Sequence, residues 1–329
     1  MKLKGLIIFL SLLSFAACSN AGNESSGTST EISGSSTETS TSSTDQASTV
    51  LAPGDYNKTI TVGSDLRSYI VHVPENYDGT KALPLVFIFH GGGGSAKGMM
   101  KSTGMNQKAD EKGFFVAYLQ GTVGPNGKAS WNSGLMPGLT PTIDDVGFVR
   151  GVVSELEGQL NVDSRRIFAA GFSAGSGLTY RLAGEIPDVL AGVAVIESTI
   201  GNSIDGGDNF SMIPDPQGPF PVLMINGKAD PIVIYDGGQG GNPDMYTKSV
   251  ADAVAFWTLA DSCSTTPQTQ TSTDGNVITD DYTACASGSE VELITTLSGQ
   301  HEWPTLNNHA HFPATDAIWD FFSRHSKSN

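Results

Sequence analysis

From Leu51 onward, short continuous apolar runs alternate with stretches whose apolar residues recur at helical spacing, and few folds accept that pattern. The runs Tyr69–Val73, Leu85–His90, Phe114–Tyr118, Ile167–Ala170, Ala191–Ile196, Val222–Asn226 and Glu290–Thr296 predict strands. Several lack any polar alternation, as a sheet covered on both faces requires. Val146, Val149, Val152, Val153, Leu156 and Leu160 predict a helix started by Asp144 and Asp145. Val250, Ala253, Val254 and Trp257 predict another, and Ala314, Ile318, Phe321 and Phe322 a last one behind Pro313. Such repetition gives an α/β fold over 51–329, with a mostly parallel central sheet and helices on both faces. Ligands of such sheets bind beyond the carboxyl ends of the strands, so chemistry is sought there.

The N-terminal part cannot belong to that sheet. Lys2 and Lys4 precede an apolar run, Leu6 to Phe15, too short to span a bilayer, and Ala16-Ala17-Cys18 follows. This resembles a lipoprotein signal peptide over 1–17, with Cys18 as the acylated first residue of the exported chain; an ordinary cleaved leader is the alternative. Between Ser19 and Thr49 more than half the residues are Ser or Thr, so 18–50 reads as a disordered tether. Localisation at the cell envelope or surface is expected, with the lipid on Cys18 as the membrane contact. In an exported chain the other two cysteines, Cys263 and Cys285, are most simply a disulfide rather than a metal site or a catalytic thiol. Net charge is −16, and −18 once the two leader lysines are gone. That excess argues against nucleic acid, anionic lipid and polyanionic substrates as partners.

The strand ends carry a consistent set of residues. Behind Leu85–Phe89 stands His90-Gly91-Gly92-Gly93-Gly94, where backbone N–H groups can turn toward a ligand as an oxyanion hole. Behind Ile167–Ala170 stands Gly171-Phe172-Ser173-Ala174-Gly175, followed by a helical pattern from Leu178 to Ala183. Strand, sharp turn and helix are the context of a nucleophile elbow, with Ser173 exposed and the Ala174 N–H as an oxyanion donor. A serine needs a base oriented by an acid, in the order Ser, acid, His. Asp230 follows Val222–Asn226 and His301 follows Glu290–Thr296, which places both at the correct sheet edge. Asp236 and Glu197 are rivals for the acid, whereas Asp144 and Asp145 suit a helix start. Among the other histidines, His309 and His311 form a loop pair. No metal or organic cofactor is implied. Trp303 either stacks on a sugar or aromatic ring or lids His301, and Trp131 either binds substrate or packs.

These elements, together with Trp131-Asn132-Ser133-Gly134, Asn226-Gly227-Lys228-Ala229-Asp230, Cys263, Cys285, His301-Glu302-Trp303-Pro304 and Ile318-Trp319-Asp320-Phe321-Phe322, resemble the polyhydroxybutyrate depolymerase and feruloyl esterase group, similar to carbohydrate esterase family 1. The resemblance runs from about Ala52 to His325. It implies an α/β-hydrolase fold, a Ser173–Asp230–His301 triad, oxyanion donors from Ala174 and from Gly91 or Gly92, and a Cys263–Cys285 bridge near the active-site loops. Two departures leave the substrate open: Leu297-Ser298-Gly299-Gln300 stands where relatives carry a Gly-Gly stretch before the histidine, and the loop Gly201–Pro221 is unfamiliar. The expected activity is hydrolysis of feruloyl or acetyl esters on xylan-type polysaccharide or its oligosaccharides, with polyhydroxyalkanoate as the alternative. A non-catalytic glycan-binding lipoprotein would break the triad, and a serine peptidase of this fold would carry an appended propeller-like region.

Overall fold

The computed structural model describes residues 51–136, 143–241 and 245–327. The expected leader 1–17, Cys18 and the tether 18–50 lie outside the described residues. A hairpin of β1 (Gly54–Val62) and β2 (Asp65–Val73) comes first, followed by β3 (Leu83–Phe89), α1 (Ala96–Ser102), α2 (Met105–Lys112) and β4 (Phe115–Leu119). Next come α3 (Asp145–Glu157), β5 (Val162–Phe172), α4 (Ala174–Glu185), β6 (Gly192–Ile196), β7 (Val222–Gly227) and α5 (Val250–Ala260). The chain continues through β8 (Gln268–Thr271), β9 (Val277–Tyr282), β10 (Val291–Thr296) and α6 (Ala314–Ser323).

These strands form one sheet in the order β1-β2-β4-β3-β5-β6-β7-β10-β9-β8. The five pairings from β4 to β10 are parallel, and the pairings at either edge are antiparallel. All seven expected strands are present. Three more, β1, β8 and β9, escaped the sequence reading because they are not apolar runs. β1 alternates partly buried and exposed residues, and β8 (Gln268-Thr269-Gln270-Thr271) is exposed throughout. Both lie at sheet edges, where backbone pairing rather than side-chain burial holds a strand and polar residues discourage further pairing.

Successive residues of the central strands enter opposite cores. Leu85, Phe87, Ile167, Ala169, Val193 and Val195 face Phe148 and Val152 of α3, Leu178 and Leu182 of α4, and Trp257 of α5. Val86, Ile88, Phe168, Ala170, Leu223 and Ile225 face Met99 of α1, Ala109 of α2, and Ile318, Phe321 and Phe322 of α6. Each of the large side chains so buried contributes about 1.5–3 kcal/mol of transfer free energy. Burial on both faces is thus the reason these strands read as unbroken apolar runs.

Cys263 and Cys285 form the expected disulfide. Its position corrects one expectation, since it does not lie near the active-site loops. Cys263 follows α5, and Cys285 follows the end of β9 that pairs with Val291 at the start of β10. The Phe220 amide, just before β7, is bonded to Asp261 beside the bridge at 3.0 Å. The bridge therefore closes the end of the sheet where β7 and β10 begin.

Two carboxyls at that end are pushed upward. Burial raises Asp261 to about 6, outweighing its bond from the Phe220 amide. Burial also raises Glu292 to about 7 despite Arg324 at 2.6 Å. A carboxyl whose folded pKa exceeds its unfolded value of about 4 stabilises the fold at low pH, and that contribution is lost as pH rises through the folded value. Thermal melting is therefore expected at a higher temperature at pH 5 than at pH 8, with the difference reduced in Asp261→Asn/Glu292→Gln. A melting profile over this range that the double variant leaves unchanged overturns the assignment.

Candidate active site

The apolar C-terminal half of β5 delivers the chain into a sharp turn in a crowded stretch of backbone. Ser173 follows β5 with φ 53° and ψ −117°, and α4 begins at Ala174. A Cβ on Gly171 would stand 2.4 Å from the Gly175 carbonyl carbon, and one on Gly175 would stand 2.4 Å from the Phe89 carbonyl oxygen. Glycine at both positions lets β5, α4 and the end of β3 close on one another. Ser176 holds the turn from beneath: its Oγ donates to the Gly171 carbonyl at 2.6 Å and accepts the Ile196 amide at 2.8 Å. Sequence reasoning missed Ser176. Its only signal was a hydroxyl one residue past the elbow pattern.

Ser173, His301 and Asp230 form a continuous hydrogen-bonded line. His301 Nε2 is 2.9 Å from Ser173 Oγ, and His301 Nδ1 is 2.7 Å from Asp230 Oδ2. Asp230 Oδ1 accepts the Ile232 and Val233 amides at 2.7 and 3.0 Å. Burial opposes ionisation of Asp230, yet His301 and these two amides outweigh it and hold the carboxyl below its ordinary value. A carboxylate in this place requires Nδ1–H on His301, which leaves the Nε2 lone pair directed at Ser173.

The glycine run is fixed by His90. Its buried ring donates from Nδ1 to the Gly91 carbonyl at 2.7 Å, while Nε2 accepts the Gly121 amide at 2.9 Å. Burial lowers the His90 pKa and keeps this arrangement neutral. The Gly93 and Gly94 amides are bonded to the Ala129 and Gly91 carbonyls at 2.7 and 2.9 Å. Because a trans peptide sets C=O and N–H on opposite sides, tying down the Gly91 carbonyl directs the Gly92 N–H away from the His90 ring. Gly91 packs against the Phe172 ring, and Gly92 borders the same cavity as Ser173, Ala174 and His301.

That cavity, about 450 Å³, has an aliphatic wall of Leu135, Met136, Ile232, Val233 and Met245. Its polar lining includes Asn126, Lys128, Ser133 and Asn202. The small strands Gly201–Ser203, Ser211–Met212, Gly238–Gln239 and Tyr246–Thr247 form a separate four-stranded sheet that supplies Asn202, and Met245 directly precedes the last of them. The hairpin Thr122–Val123/Ala129–Ser130 brings Asn126, Lys128 and Ser130.

Neither tryptophan stands where a substrate-binding role would put it, and for Trp131 the packing alternative is the one found. Trp131 is 1% exposed, donates its indole N–H to the His90 carbonyl at 2.8 Å and packs edge-on to Phe89. Trp303 is 7% exposed, packs in the α6 core and reaches Thr315 Oγ1 at 3.2 Å. Neither borders the cavity.

The rivals separate as well. Asp236 is exposed and pairs with Lys228, Asp144 caps α3 through the Gly147 amide, and Asp145 is buried against Arg67 at 2.6 Å. His309 and His311 are exposed loop residues, and His309 pairs with Glu302. Glu197 alone among the rivals lies beside the triad. Among the described residues no group of three His, Cys, Asp or Glu side chains gathers as a metal site.

A protein-family model described as Esterase PHB depolymerase matches residues 67–238, which include His90, Ser173 and Asp230. NocK of Nocardia uniformis subsp. tsuyamanensis, named as an esterase, is 34% identical over 268 residues, covering 75% of this chain and 73% of that protein. Feruloyl esterase B of Piromyces equi is 33% identical over 240 residues, covering 71% of this chain and 42% of that protein. Among solved structures, an acetyl xylan esterase from Aspergillus awamori superposes with a TM-score of 0.56 over 82% of this chain and 99% of that one, at 13% identity. That last likeness is one of fold, the α/β-hydrolase fold.

Proposed function

The chain belongs to the Esterase PHB depolymerase family and is a carboxylic ester hydrolase, and from that premise we propose a serine esterase acting through an acyl-enzyme. Ser173 Oγ attacks the ester carbonyl while His301 Nε2 takes its proton, and Asp230 holds Nδ1–H and stabilises the imidazolium. The oxyanion lies between the N–H groups of Ala174 and Gly92, with Gly91 as the support behind them. Collapse breaks the C–O bond, and His301 returns the proton to the departing alcohol. A water molecule, deprotonated by His301, then releases the acid. The observation that carries this reading is the unbroken line from Asp230 through His301 to Ser173 at the mouth of a cavity bordered by Gly92 and Ala174.

The substrate in this reading is a feruloyl or acetyl ester on xylan-type polysaccharide. A relative named as a feruloyl esterase supports it, as does a cavity with an aliphatic wall and amide and hydroxyl groups in its lining. The leader over 1–17, lipidation at Cys18 and the tether over 18–50 would hold the esterase domain 51–329 outside the cell, where a polymer too large to import is met. The family description favours a second reading, a hydroxyalkanoate polyester. Methyl ferulate, acetylated xylan and a polyhydroxybutyrate suspension assayed side by side separate the two. Release of ferulate or acetate well above clearing of the suspension is expected, and the reverse order sinks the carbohydrate reading. Covalent labelling of Ser173 by a fluorophosphonate is expected throughout, and a purely glycan-binding protein would not label.

A further inference from the structure

Glu197 stands immediately beyond β6, with no part of it exposed and with φ at 51°, a backbone region that a glutamate rarely occupies. Its own amide donates to the Ile225 carbonyl at 3.0 Å, which sets the residue between the ends of β6 and β7. From there the side chain meets the loop that carries the triad acid. The Gly227 amide lies 2.9 and 3.0 Å from its two carboxyl oxygens, and the Gly227 carbonyl accepts the Asp230 amide at 3.3 Å, a tight turn that brings the Asp230 carboxyl against Glu197. Glu302, from the loop after β10, adds a further negative charge nearby. Among the described residues no Lys, Arg or His pairs with Glu197.

Two carboxylates cannot share such a place as anions. A buried charge without a counter-charge is among the most expensive features a fold can carry, and a second anion beside it adds repulsion. One of the two must hold a proton. Asp230 receives three N–H donors, from His301, Ile232 and Val233, and is therefore the anion. Glu197 has one amide donor and is the acid; burial, followed by Asp230, drives its pKa well above the ordinary range.

Building on the triad reading above, we infer that Glu197 is a positioning residue: a neutral carboxylic acid whose O–H donates to the Asp230 carboxylate while its other oxygen accepts the Gly227 amide. A carboxylate offers about four acceptor positions. The three N–H donors and this O–H fill them, so Asp230 has a single orientation in which Oδ2 faces His301. Glu197 touches neither substrate nor the reacting atoms. It acts on turnover only through Asp230 and, one step further, through the tautomer and aim of His301.

The test compares Glu197→Gln with Glu197→Met. Glutamine keeps a donor for Asp230 and an acceptor for Gly227, so kcat within about threefold of the wild type is expected. Methionine keeps bulk and loses both bonds, and kcat on p-nitrophenyl acetate is expected to fall about ten- to a hundredfold at nearly unchanged KM, as for other small losses of aim. Rates are taken per folded molecule, with melting temperature recorded, because a merely structural role lowers the melting temperature in both variants without separating their kcat values. Wild-type turnover in Glu197→Met, or a glutamine variant as slow as the methionine one, overturns the inference. Should Glu197→Met fail to fold, the infrared difference spectrum of wild type minus Glu197→Gln at pH 7 decides. A protonated-carboxyl C=O band is expected there, and its absence overturns the inference. Ser173→Ala is run alongside: full activity there removes the triad reading and this role together, whereas wild-type turnover in Glu197→Met removes this role alone.

Discussion

Ser173→Ala is expected to lower kcat on p-nitrophenyl acetate by about 10⁵- to 10⁶-fold, with the melting temperature nearly unchanged. The size follows from what the substitution removes. Ser173 Oγ is the hydroxyl hydrogen-bonded to His301, at 2.9 Å, and it stands where β5 meets α4, in a cavity that Gly92 and Ala174 also border. Ser130, Ser133 and Ser198 also line the cavity, yet none of them, among the described residues, is bonded to His301. Alanine leaves the two amides in place, so a residual rate above that in water is expected from a general-base attack by water. Fluorophosphonate labelling is expected to vanish in the same variant. Retention of more than about one-tenth of wild-type kcat would mean that the nucleophile is elsewhere.

Asp230→Asn is expected to cost about 10⁴-fold in kcat through a change of tautomer rather than of shape. The side chain is nearly isosteric, and its carbonyl oxygen can still accept the Ile232 and Val233 amides at Oδ1. The amide NH₂ then faces His301 Nδ1, which can no longer be the protonated nitrogen. The proton moves to Nε2, and the ring presents a donor to Ser173 instead of a base. Melting temperature and fluorophosphonate-accessible geometry change little, while turnover collapses. A loss of less than about tenfold would show that something other than Asp230 sets the ring's tautomer. Glu197 is the residue to examine in that event, since it is the other carboxyl in contact with this loop.

Much of this site was legible in the sequence because its parts are local. The elbow needs glycines flanking the serine, and the acid and base follow apolar strands, so the letters alone place each at a strand end. The central strands were legible for the same reason: burial on both faces writes itself as an apolar run. What could not be read depends on the partner an element meets. β8 is four polar residues that become a strand through backbone bonds to β9. Trp131 and Trp303 carry the same letters whether they line a cleft or fill a core, and here packing against Phe89 and α6 decided. Glu197 was legible only as a competitor of Asp230. Their relation as a proton-sharing pair arises because β6 and β7 are neighbours, which is a property of sheet order rather than of spacing along the chain.

The cavity draws on two separate sources. Ser173, Asp230 and His301 are carried by the large sheet, whereas Asn202 and Met245 come from the small four-stranded sheet and Asn126, Lys128 and Ser130 from the hairpin. Neither insert contributes a bond to the line from Asp230 to Ser173. On the proposed reading, exchange of the small sheet with that of another family member is therefore expected to change the substrate range and leave the reaction itself untouched, whereas the hairpin, whose Ala129 carbonyl holds the Gly93 amide, has to stay with the glycine run it supports.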